Sequence, residues 1–178
     1  MTHPHPQEAA TIPGPPDPAG FRAAMGSFLT GVAVMTTKVN GEPHGMTANA
    51  VSSVSLEPPL VLVCVAEEAI MAERVRQAGV FALSFLAEDQ RALSNRFADP
   101  SRGEGAEEFE GVEVEVAATG CPVITGATAM VDCRVTSITA AGDHLVVIGE
   151  VVALDTAGDA PLGYYRGGYG VYTAEPSG

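Results

Sequence analysis

Gly45-Met46-Thr47-Ala48-Asn49-Ala50-Val51-Ser52-Ser53-Val54-Ser55 is the stretch whose reading decides the architecture of this chain. It lies between two apolar, β-branched runs, Val32 to Thr37 and Leu60 to Val65, both of which read as strands. Asn40-Gly41 ahead of it is a hairpin signal, because both residues tolerate positive φ. Glu57-Pro58-Pro59 behind it must break a ladder, because proline donates no hydrogen bond. The pattern predicts one strand from His44 to about Leu56. Strict alternation puts Thr47, Asn49 and Val51 on one face and Ala48, Ala50 and Ser52 on the other, so neither face is cleanly apolar. Two readings are open: a solvated face of an edge strand, or a strand lined by a polar ligand. Small residues favour close approach of backbone N–H groups, and hydroxyls reach phosphate or polyol oxygens.

Working outward, the flanking chain is strand-rich with short helices. Asp17-Pro18 reads as an N-cap and first helical residue, with Phe21, Met25, Phe28 and Leu29 on one face and Gly31 as the stop. Glu67 to Gln77 and Glu88 to Ala98 read as helices, the first ended by Gly79, and Val80 to Leu86 as a strand. Asp99 to Glu110 reads as an exposed acidic loop, and Val112 to Val116 as a short strand. Ala127 to Thr139 and Asp143 to Leu154 predict two long strands around Ala140-Ala141-Gly142, and Tyr164 to Thr173 a final turn and strand. The fold class is mostly β or α+β: a barrel with flanking short helices, not a doubly wound sheet. Residues 1–17 read as a flexible tail and residues 18–178 as one domain.

Composition bounds the partners. A net charge of −13 disfavours nucleic acid and anionic membranes. Lys38 is the sole lysine, so a phosphate site must use arginine, hydroxyls or backbone N–H groups. Cys64, Cys121 and Cys133 have no C-x-x-C spacing, which argues against zinc and disulfides and for reduced thiols in the cytoplasm. Residues 1–16 lack the apolar core of a secretory signal, and His3 and His5 read as part of the tail. There is no G-x-G-x-x-G and no Walker loop, so any dinucleotide is bound without a Rossmann turn. Asp132, Cys133 and His144 form no persuasive metal or thiol site.

Several segments together resemble the flavin reductase family, whose fold is the FMN-binding split barrel. They are Phe21 to Val32, Gly45 to Asn49, Ser52 to Leu56, Pro58-Pro59-Leu60, Leu93 to Ala98, Asp143-His144, Gly149-Glu150-Val151 and Pro161 to Tyr169, in the family's order. The resemblance covers nearly all of residues 21–172. It implies an NAD(P)H:flavin oxidoreductase, similar to the short-chain reductases that supply reduced flavin to two-component monooxygenases. It also implies a homodimer with the flavin near the subunit interface. The cofactors are FMN or FAD with NADH; NADPH is disfavoured by the lack of an arginine cluster.

The resemblance assigns roles. Thr47, Ala48, Asn49 and Ala50 lie along ribityl and phosphate, and Ser53, Val54 and Ser55 meet the isoalloxazine edge. Cys64, Val65 and Phe81 lie near the same pocket. Arg96, or else Arg91, neutralises the flavin phosphate, with a surface arginine as the competing account. His144 reaches the nicotinamide side, where the bland alternative is a turn histidine. Tyr164, Arg166, Gly167 and Tyr169 wall the nicotinamide pocket. Ala50 stands where the family often has serine or threonine, which removes one possible hydroxyl contact. Two other functions remain open: a tight flavoprotein that carries electrons, and a flavin-dependent reductase of a small organic substrate.

Overall fold

A computed structural model describes residues 14–158 and 160–172. The elements are α1 (Pro18–Met25), β1 (Thr30–Gly31), β2 (Ala33–Val39), β3 (Glu42–Ala48), β4 (Val51–Leu56), β5 (Pro59–Ala66), α2 (Ile70–Ala78), β6 (Val80–Phe85), α3 (Arg91–Ala98), β7 (Val114–Val116), β8 (Pro122–Ile124), β9 (Ala129–Ala141), β10 (His144–Thr156), β11 (Leu162–Tyr165) and β12 (Gly168–Val171). Seven strands form one antiparallel sheet in the order β3-β2-β6-β9-β10-β5-β4. The two edge strands, β3 and β4, are consecutive in the chain. The step from one edge of the sheet to the other is Asn49-Ala50, so the sheet must curl into a barrel. Ala50 O accepts from Cys64 N at 3.0 Å, which ties the crossing to β5.

The expected single strand from His44 to Leu56 is therefore two strands. The reason is local: neither Asn49 nor Ala50 belongs to either ladder. Such a break costs no packing, because the side chains at the bend are small. β4 then carries a bulge, with the register shifting between Ser53 and Ser55.

The barrel interior is apolar. Met35, Val63, Val65, Phe81, Leu83 and Val147 are fully buried in one cluster, joined by Met71 and Val75 of α2. Strand β5 shows why: Val61, Val63 and Val65 point inward, while Leu62 and Cys64 between them are half-buried on the other face. Phe81 fits against Gly149, where an added Cβ would lie 2.6 Å from Phe81 Cε1. A second cluster, with Val34, Leu86, Phe97 and Leu162, lies outside the barrel wall. It is covered by α3 and by the small sheet β1-β11-β12.

Turn chemistry follows the sequence. Asn40 and Gly41 both have positive φ, 52° and 91°, at the β2–β3 hairpin. Arg166 and Gly167 repeat the pattern at the β11–β12 turn, with φ of 47° and 80°. Asp17 caps α1, its Oδ1 accepting from Ala19 N and Gly20 N at 2.9 Å each. Several boundaries differ from expectation. Helix α1 ends at Gly26 instead of Gly31, because the chain turns back into β1. Helix α2 starts at Ile70, three residues later than expected. The β9–β10 turn sits at Gly142-Asp143, since Ala141 still pairs with His144. The acidic stretch 99–110 is not simply exposed: a short 3-10 turn over Gly105–Phe109 buries Glu108.

Candidate active site

Where the chain crosses between the sheet edges, two cavities open side by side. The larger, about 620 Å³, is lined by Phe28 to Gly31, by Ala48 and Asn49, by Ser52, Ser53 and Ser55 of β4, and by Leu60, Phe85 and Val151 among others. The smaller, about 440 Å³, is lined by Phe21, Arg22, Met25, Ala50, Leu62, Cys64 and Tyr164 among others. Phe28, Thr30, Asn49, Val51 and Ser52 line both. Both volumes lie within the range of small-molecule sites, about 300–1,000 Å³. Their walls are mainly apolar, with hydroxyl and amide groups at the shared rim. A flat aromatic heterocycle with a polar edge suits that distribution, so an isoalloxazine fits the residues present.

The bulge in β4 shapes the larger cavity. Ser53 and Ser55 both line it, whereas Val54 between them does not and stays exposed. Ser55 Oγ also accepts from Glu57 N at 3.2 Å, which fixes the turn that follows. Asn49 Nδ2 donates to Thr30 Oγ1 at 3.4 Å across the rim.

The remaining sequence-predicted residues fall in different places. Thr47 faces α3, its hydroxyl donating to Ser94 O at 2.6 Å, and lines neither cavity. Ala48 and Asn49 line the larger cavity, and Ala50 the smaller. Cys64 faces the smaller cavity, but Val65 and Phe81 point into the barrel core and reach neither. The β5 alternation separates Cys64 from Val65. Arg96 is turned away: Nε donates to Glu108 O at 2.9 Å and Nη2 to Glu107 O at 3.1 Å. Arg91 stacks over the Tyr169 ring, 5.0 Å from its centroid. Tyr164 lines the smaller cavity and meets Tyr169 edge-on at 5.4 Å. Tyr169 OH donates to Asn95 Oδ1 at 3.0 Å and so accepts from Ser94 Oγ at 2.9 Å. These bonds hold β11–β12 against α3 and thereby fix Tyr164. Arg166 contacts Ser27 Oγ at 3.2 Å and lies over the Tyr165 ring, outside both cavities.

His144 opens β10 and lines neither cavity. It shares the outer sheet face with Cys64, two residues or roughly 7 Å along the strand pair, since His144 pairs with Ala66 and Val146 with Cys64. Its Nδ1 lies 2.8 Å from Asp143 Oδ1. The bond from His144 holds the Asp143 carboxyl below its ordinary pKa. An ionised carboxylate only accepts, so Nδ1 carries the proton and Nε2 is left for another partner.

Sequence reasoning missed Phe28, Leu29 and Thr30, which line the larger cavity, and Arg22, Met25 and Leu62, which line the smaller. The sequence signal was the apolar helical face of Phe21, Met25, Phe28 and Leu29, which in the structure is left without a buried residue in α1.

Comparison with known proteins decides the family. The flavin reductase like domain matches residues 25–173. The chain belongs to that family. It is 41% identical over 144 residues to the NADH-dependent FAD reductase of Streptomyces globisporus, covering 80% of this chain and 79% of that one. It is 43% identical over 150 residues to the reductase component of the flavin-dependent trigonelline monooxygenase of Acinetobacter baylyi, covering 84% of this chain and 47% of that one. Among solved structures, the Streptomyces globisporus C-1027 NADH:FAD oxidoreductase SgcE6, in complex with NAD and FAD fragments, superposes with a TM-score of 0.85. Its identity is 34%, with 94% of this chain and 100% of that one covered. The chain spans about half the length of some curated relatives it matches, including 48% of one from Rhizobium meliloti. The split-barrel fold expected of this flavin reductase domain is the one observed: a curled antiparallel sheet, mostly strand, with few short helices.

Proposed function

We propose that this flavin reductase domain is an NAD(P)H:flavin oxidoreductase that reduces FMN or FAD and supplies reduced flavin to a partner monooxygenase. The observation that carries the reading is the pair of cavities with a common rim at Asn49, Val51 and Ser52. Two planar rings that must exchange a hydride have to come within van der Waals distance, and adjoining pockets with a common rim bring two bound rings into reach of each other. A flavin and a nicotinamide held there would supply hydride transfer from the one ring to the other. The protein positions both. Ser53 and Ser55 offer hydroxyls to the flavin edge, Cys64 and Tyr164 wall the nicotinamide side, and Phe28 and Leu29 exclude water from the junction.

The family relatives support NADH as the donor, and so does the scarcity of cations around the cavities, since a 2′-phosphate needs a dedicated one. The domain works as a homodimer in the cytoplasm. Phe21, Met25, Phe28 and Leu29 form an apolar face that is more than half exposed on one chain, beside Leu56 at 89%. A second copy laid over this face shields it and closes the cavities. Free thiols at Cys64, Cys121 and Cys133 support a reducing compartment. No described helix is long and apolar enough to cross a membrane.

Steady-state oxidation of NADH under air tests the function. The rate should rise and saturate with added free FMN or FAD. A rate indifferent to added flavin contradicts the hand-off, and a protein-bound flavin that NADH does not bleach contradicts the reductase.

A further inference from the structure

We propose that Arg22 is the phosphate anchor of the nucleotide site, an inference that rests on the flavin reductase reading above. The chain carries nine lysines and arginines against 22 acidic residues. A phosphate entering either cavity meets a strongly negative molecule, so it needs a local cation. Most of the nine are engaged elsewhere. Arg96 and Arg102 donate to backbone carbonyls of the 99–110 segment and of β3. Arg74 and Arg76 pair with Glu42 and Glu67. Arg91 and Arg166 lie over tyrosine rings. Lys38 and Arg134 stand on β2 and β9 and line neither cavity.

Among the described residues, Arg22 is the sole cation that lines either of the two cavities. It stands in the last turn of α1, at the wall shared with Asn49, Ala50 and Cys64. Its guanidinium forms no ion pair among the described residues. An exposed arginine in the wall of an otherwise uncharged pocket suits bidentate capture of a phosphate or pyrophosphate. With one cation in a negative field, the interaction must weaken as salt screens it. The phosphate belongs either to the flavin or to the nicotinamide nucleotide, and the chemistry is the same.

The test compares wild type with Arg22→Gln and Arg22→Lys by steady-state kcat/KM. One arm sets FMN against riboflavin, which lacks the phosphate. The other sets NADH against 1-benzyl-1,4-dihydronicotinamide, which lacks the nucleotide. Arg22→Gln should cut one of these preferences by roughly tenfold or more, the loss expected for one charge-assisted contact, and Arg22→Lys should restore part of it. The arm that changes names the source of the phosphate. Unchanged preferences in an Arg22→Gln protein that melts like wild type overturn the proposal. So does a wild type that reduces flavin with no preference for either phosphate-bearing partner, a result that leaves the reductase reading standing. A wild type that neither binds nor reduces flavin overturns both.

Discussion

Cys64 and Val65 are neighbours of similar character, yet one faces a cavity and the other the core. Alternation requires that they differ but does not say which goes inward; the β5–β10 register settles it. Phe81 is apolar and in a strand, which suits a pocket wall as well as a core. Its place was not legible, because Gly149 makes room for it from a strand far along the chain. Gly149→Ala should therefore destabilise the fold by about 1–3 kcal/mol, since the new methyl meets Phe81 and the Cys133 Cβ on both sides. Chemical denaturation measures it, and an unchanged midpoint contradicts the packing described.

Glu108 is a second case. Its burial acts to raise the carboxyl pKa, but the hydrogen bonds from His44 and Gly45 N, with the charges of His44 and Arg102, outweigh it and hold the pKa below 4.5. A depressed folded pKa means stability that is present above the unfolded value and lost as pH falls through the folded one. Glu108→Gln should cost about 1–3 kcal/mol at neutral pH. The gap to wild type should narrow as pH drops below the ordinary carboxylate range. Melting curves from pH 7 to 3 check this; a gap that widens in acid reverses the assignment. In sequence this glutamate was one of a run of exposed-looking acids, and nothing local marked it as buried.

Among the elements, the β2–β3 hairpin turn, the Asp17 cap and the Gly79 stop were legible because asparagine, aspartate and glycine fix them, whereas β1 and β8 carried no such signal. The break at Asn49-Ala50 was not legible, because a strand that changes partners in mid-course keeps a strand's composition. That break shapes the two cavities, since it carries the chain from one sheet edge to the other and its residues line both. The Arg96 assignment failed to reach the cavities for a related reason. The 99–110 segment folds back over α3 and presents carbonyls to the guanidinium, a tertiary contact with no periodic signal. Helix α1 was visible as amphipathic, but what its apolar face meets was not. If a second copy covers it, Met25→Asp should shift the protein toward monomer in light scattering at micromolar concentration, while α1, having no buried residue, should let the barrel melt almost as before. A wild type that is already monomeric at that concentration contradicts the dimer.

For the molecule as a whole, barrel class followed from strand count and turn spacing, and the family from ordered short motifs that are individually weak. The polar stretch Gly45 to Ser55 had two readings, a solvated edge or a ligand wall. In the structure Asn49, Ser52, Ser53 and Ser55 of this stretch line the cavities, whereas Thr47 bonds to α3 instead. Ser52 allows the most direct test. It is exposed, lines both cavities, and its hydroxyl contacts only the neighbouring Ser53 carbonyl, at 3.1 Å. Ser52→Phe should thus fill the shared rim without disturbing the core. Titrating FMN into wild type and Ser52→Phe, with flavin fluorescence as the readout, should give saturable quenching at micromolar protein for wild type and at least a tenfold weaker response for the variant. Equal quenching curves for the two proteins would place the flavin somewhere other than the strand crossing.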